Sequence, residues 1–112
     1  MPYIKTTANI PIPHEKREQL KSQFGQLSSI FGKSEAYLMV NFCENAQIYF
    51  GGSEEPAAIV GVELYGSASD DAYRQMTAAT TALLEEILGI PANRIFVKYA
   101  EYQHWGWNGK NF

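Results

Sequence analysis

Among its 112 residues the chain has a single cysteine, Cys43, and that scarcity excludes an intrachain disulfide and any paired-thiol redox motif. Cys43 lies in the strand-like run Val40-Asn41-Phe42 and reads as a packed small apolar residue, as free cysteines generally are. Basic runs are equally scarce. None exceeds Lys16-Arg17, and the net charge is -3, so no electrostatic footprint for nucleic acid is present. No apolar stretch approaches the ~20 residues that span a bilayer, so no membrane partner is expected. The opening residues, MPYIKTTANI, lack the basic start and apolar core of a signal peptide, so a cytoplasmic location is expected. The two histidines, His14 and His104, have no carboxylate or cysteine at ligand spacing, so neither a metal nor a cofactor is expected. Gly51-Gly52 lacks the Lys-Ser/Thr and helix start of a phosphate cradle.

What is present is an ordinary globular composition, 46% hydrophobic and 19% charged, on a chain long enough for a single domain over residues 1–112. Residues 2–9 (PYIKTTAN) are rich in β-branched side chains and end at Ile10-Pro11-Ile12-Pro13, whose prolines punctuate a strand. Leu20, Phe24, Leu27 and Ile30 then recur at helical spacing within residues 14–31, and Gly32 supplies the stop. Residues 37–43 read as a second strand, residues 47–50 as a short one, and residues 57–65 as a long one. Ser69 is a candidate N-cap for a second helix, with Asp70 and Asp71 in its first turn, opposing the helix dipole. That helix carries Tyr73, Met76, Thr80, Leu83, Leu84 and Ile87 on one face to about residue 88, before Gly89 and Pro91. Residues 94–100 form a last strand, followed by the aromatic tail HWGWNGKNF.

Strand–helix–strand therefore occurs twice, a duplicated βαβ of the α+β class: a four-stranded mixed sheet with both helices on one face. In the later strands one parity is almost wholly apolar (Leu38, Val40, Phe42; Val60, Val62, Leu64; Ile95, Val97, Tyr99). The other parity mixes Met39, Asn41, Ile59, Glu63, Phe96 and Lys98. A solvent face would be more polar and a core face would hold no Glu63 or Lys98, so the mixed face fits an interface or a site lining.

Several landmarks coincide along the whole length: Pro2; Gly32-Lys33; Phe50-Gly51-Gly52-Ser53 with Glu55-Pro56; Gly89-Ile90-Pro91 and Arg94; and Trp105-Gly106-Trp107-Asn108 ending at Phe112. Together they resemble the macrophage migration inhibitory factor family of the tautomerase superfamily. That resemblance implies a homotrimer whose sheets wrap a central channel, with sites at subunit boundaries. It implies cofactor-free keto–enol tautomerisation of phenylpyruvate-like 2-oxo acids. A receptor partner and non-classical secretion are implied by family analogy alone.

The resemblance makes Pro2, once Met1 is removed, a secondary-amine general base. A free α-amino group titrates at about 7.7–8.0, and burial or a nearby cation lowers that value toward a neutral base. By the same resemblance Lys33 holds the substrate's carboxylate or oxygen, Tyr65 marks a backbone contact, and Tyr37, Trp107 and Phe112 line the pocket. Phe96 and Lys98 depart from the family's tyrosine and asparagine, removing a hydroxyl and adding a cation near the site. The family's CxxC is absent, since residues 57–60 read Ala-Ala-Ile-Val. The alternative reading is a trimeric signalling or binding protein with a vestigial or weakly active pocket.

Overall fold

In a computed structural model, residues 2–112 are described; the removal of Met1 concerns a residue outside them. Strand β1 (Pro2–Ala8) leads to helix α1 (His14–Leu27), then β2 (Met39–Cys43), β3 (Ala58–Tyr65), helix α2 (Asp70–Leu88) and β4 (Ile95–Tyr102). A short hairpin of β5 (Gly106–Trp107) and β6 (Lys110–Asn111) ends the chain. The sheet order is β2-β1-β3-β4: β1 runs parallel to β2 and antiparallel to β3, while β3 and β4 are parallel. This is the four-stranded mixed sheet of a duplicated βαβ.

Register explains which side chains are buried. Opposed pairs Ile4–Val62, Thr6–Val60 and Ala8–Ala58 place one parity of β1 and β3 under the helices, and all six side chains are buried. Leu20 and Phe24 of α1 and Met76 and Leu84 of α2 close over that face with no exposed surface. Fully burying a side chain of this size contributes roughly 1.5–3 kcal/mol, so this one layer carries most of the stabilisation. Helix α2 begins as expected: Ser69 Oγ accepts from the Ala72 amide at 3.1 Å, with Asp70 and Asp71 in the first turn.

Four sequence expectations need correction. Strand β2 starts at Met39 rather than residue 37, because Ser34 Oγ caps a 3₁₀ turn over Glu35–Tyr37, accepting from the Ala36 amide at 3.1 Å. Residues 47–50 form no strand. Gly51 and Gly52 both have positive φ, closing a tight turn held by the single bridge Phe50–Ser53. Arg94 lies in a 3₁₀ turn ahead of β4, which extends to Tyr102. Cys43 is half-buried at the end of β2 opposite Thr7, on the helix-free side of the sheet.

Arg94 explains why that glycine turn stays put. Its guanidinium donates to four carbonyls: Pro56 at 2.9 Å, Phe50 at 3.2 Å, Ser53 at 3.0 Å and Glu55 at 2.9 Å. It also stacks over the Phe50 ring, 5.2 Å from its centroid. From the other side Asn9 donates to the Glu54 and Glu55 carbonyls and accepts from the Ala57 amide. Lysine lacks the planar fork that serves four acceptors at once. Both Arg94→Ala and Arg94→Lys are therefore expected to lower stability by about 2 kcal/mol, read from the urea midpoint. An unchanged midpoint in Arg94→Lys would show that charge alone suffices.

Tyr73 gives a pH signature. Burial first, and then a 2.5 Å hydrogen bond donated to Glu101, push its phenol up to about 12. The folded environment thus favours the neutral phenol. Its stabilisation is full below about pH 10, the ordinary tyrosine value, and is lost as pH rises toward 12. Denaturation midpoints measured across that window should fall for the wild type and fall less for Tyr73→Phe.

Candidate active site

Pro2 is the first residue of β1 and is buried, opposite Leu64 in the antiparallel pairing with β3. Tyr65 follows Leu64 at the end of β3. On the other flank Tyr3 is paired with Met39, so Leu38 and the turn carrying Tyr37 lie beside the head of β1. One end of the sheet thereby gathers Pro2, Tyr65 and Tyr37 from three separate elements.

The tail completes this end. Asn108 and Gly109 both adopt positive φ, at 55° and 77°, turning β5 back into β6. An Asn-Gly step between short segments is the sequence signal for such a hairpin. The Phe112 amide donates to the Trp105 carbonyl at 3.0 Å and fixes the last ring. Phe112 then meets Tyr65 at 5.8 Å, Tyr37 at 6.2 Å and Trp107 at 6.0 Å between centroids, and Tyr37 meets Trp107 edge-on at 5.2 Å. Aromatic pairs in these ranges contribute about 0.5–1.5 kcal/mol each beyond burial. Even so, Tyr37, Trp107 and Phe112 stay 46%, 53% and 44% exposed. The cluster is a platform open on one side, with a cavity of about 300 Å³ along Trp107, Asn108, Lys110, Asn111 and Phe112.

Lys33 is half-buried and its backbone is fixed by the end of the first helical stretch. Gly32 turns left-handed (φ 66°), its amide donating to Ser29 and the Lys33 amide to Ser28, at 2.9 and 3.2 Å. This six-to-one closure is a Schellman motif, and it sets where the lysine leaves the chain. Four residues later comes Tyr37. Among the described residues Lys33 forms no ion pair, so its charge is available to an anion.

Phe96 and Lys98 do not join this group within one chain. Both project from β4 on the helix-free face, Phe96 against Phe50 at 4.8 Å and Lys98 level with Gly61. Pro2 belongs to the opposite parity, in line with Leu64 on the helix side. They would reach a Pro2 pocket only in another copy. Among the described residues no group of three His, Cys, Asp or Glu could hold a metal ion. What the gathered residues offer is a buried N-terminal strand end and an aromatic surface; Lys33 makes no side-chain contact with them among those described.

The whole chain, residues 1–112, matches the sequence pattern of the macrophage migration inhibitory factor (MIF) family. The crystal structure of Leishmania major MIF2 superposes with a TM-score of 0.95 at 36% identity, covering 100% of this chain and 97% of that one. The homologue from Prochlorococcus marinus gives a TM-score of 0.89 at 28% identity over 98% of each chain. A MIF homologue of Trichuris trichiura is 28% identical over 114 aligned positions, covering 100% of both chains. With sequence and fold agreeing along their full lengths, the chain belongs to the macrophage migration inhibitory factor family of the tautomerase superfamily.

Proposed function

We propose that the protein is a cofactor-free keto–enol tautomerase acting on phenylpyruvate-like 2-oxo acids, with Pro2 as its general base after Met1 is removed. The observation that carries this reading is the convergence of Pro2, Tyr65, Tyr37, Trp107 and Phe112 at one end of the sheet. A secondary amine buried at the head of β1 loses solvation of its charged form, which favours the neutral base.

In the proposed reaction the Pro2 nitrogen takes a proton from the carbon next to the substrate's carbonyl, and that C–H electron pair becomes the new carbon–carbon double bond. The carbonyl π pair moves to oxygen, the enolate oxygen takes a proton from water, and protonated Pro2 gives its proton back to the solvent. In the ketonisation direction protonated Pro2 returns its proton to carbon. Lys33, pinned by its Schellman turn, pairs with the carboxylate or the developing oxygen charge. The substrate's ring lies on the Tyr37, Trp107 and Phe112 platform, and Tyr65 borders it. The aromatic exposure and the mixed sheet face both call for cover, and a homotrimer with its sheets around a central channel would supply it.

Three measurements test the proposal. The intact mass should be one methionine residue below the encoded value. In a phenylpyruvate tautomerisation assay Pro2→Gly should lose about a hundredfold or more in kcat, the range of general-base contributions. Lys33→Gln should raise KM about tenfold, as expected for a lost charged hydrogen bond. A wild type with no rate above buffer would instead support the trimeric binding or signalling protein with a vestigial pocket. A monomer in sedimentation would reject the homotrimer.

A further inference from the structure

The helix-free face of the sheet holds a cavity of about 340 Å³ remote in parity from Pro2, and its floor carries two lysines on one level. Lys5 on β1 is paired with Gly61 on β3, and Gly61 with Lys98 on β4. With strands about 4.8 Å apart, the two lysine Cα atoms stand roughly 10 Å from each other. Between them is the one residue type with no side chain. Lys98 leans into that gap: its Cε lies 3.5 Å from where a Cβ on Gly61 would stand. Two flexible four-carbon arms can therefore bring both ammonium groups to a single anion above Gly61.

The surroundings favour an anion. Lys5 and Lys98 are exposed, and among the described residues neither forms an ion pair, which occur only at Glu18 and Asp71. The carboxylate of the cavity, Glu63, accepts a 2.5 Å hydrogen bond from the Tyr102 hydroxyl. The Tyr3 hydroxyl already accepts from the Asn41 amide at 2.8 Å, which leaves its own proton to donate. Thr7 adds a second hydroxyl to the lining. On a chain of net charge -3, two unpaired cations next to two hydroxyls form a local positive site.

We propose that this face binds a small multivalent oxyanion of the phosphate class between Lys5 and Lys98, over Gly61. The site is built within one chain and does not rest on the tautomerase reading. Where copies assemble through this face, each brings a like-charged pair, and the bound anion neutralises their repulsion.

The test is calorimetric titration of inorganic pyrophosphate into the full chain at low ionic strength, with sedimentation run in parallel. Saturable binding is expected, retained in Pro2→Gly, weakened tenfold or more in Lys5→Gln or Lys98→Gln, and lost in the double variant. Both positions are exposed, and circular dichroism checks that each variant is folded. Chemical-shift changes centred on the Gly61 amide should accompany binding. Undiminished affinity in the double variant would overturn the site. So would sodium chloride of matched ionic strength reproducing the shifts, which would reduce them to general screening. Equal affinity for succinate would overturn the phosphate class. Binding without oligomers would leave the site standing and reject only assembly through it.

Discussion

Strand β1 is hydrogen-bonded along both edges, parallel to β2 and antiparallel to β3, and every other part of the molecule is placed relative to it. A strand at the start of a chain normally frays, since nothing tethers its free end. Here two neighbours and a buried parity of Ile4, Thr6 and Ala8 hold it. Releasing β1 would break the sheet between β2 and β3, because among the described residues no other strand links the two βαβ units. The same tethering keeps Pro2 at a fixed position beside Leu64. A strand end is a far more rigid support for a small reactive group than a loop would be.

That central placement also divides the molecule into two unlike sides. One side of the sheet is sealed by α1 and α2 around Phe24, Met76 and Leu84. The other has no helix, yet it carries Met39 and Phe96 at 65% and 57% exposure beside Lys5, Glu63 and Lys98. A side of that mixture is neither core nor ordinary solvent surface. Pro2 itself and the lysine pair thus belong to opposite sides of one sheet only a few ångströms thick. On β3, Leu64 shares the side of Pro2, whereas Gly61, Glu63 and Tyr65 share the side of the lysine pair.

Much of the fold was legible because apolar spacing reports parity and period directly. The stripe at Leu20, Phe24 and Leu27, the Ser69 cap and the alternation through Val60, Val62 and Leu64 all correspond to observed elements. The failures share a cause: local conformation set by partners distant in sequence. Residues 47–50 have strand composition, but Arg94 and the two positive-φ glycines hold that region as a clamped turn. Tyr37 looked like part of β2, but Ser34 supplies a competing local cap. Pro2, Lys33, Tyr37, Tyr65, Trp107 and Phe112 are legible as site residues only through the family resemblance; composition alone says little about any of them. Lys98 is placed near the site by the resemblance, which sets that site at a subunit boundary, and a single chain holds only one side of such a boundary. Lys5 carries no signal of its own in the sequence, since its partner is visible only once β1, β3 and β4 are in register.

The Schellman closure at Gly32-Lys33 joins two properties usually considered apart. The amides of Gly32 and Lys33 end the helical stretch, and the side chain of the second is the cation proposed to hold the substrate's anion. Helix ends are the first parts of a helix to melt, well before the buried layer beneath them. Whatever loosens that final turn loosens the lysine with it, while the strands and Pro2 remain in place. The anion contact proposed for Lys33 is in that sense a thermometer of one helix terminus rather than of the whole fold.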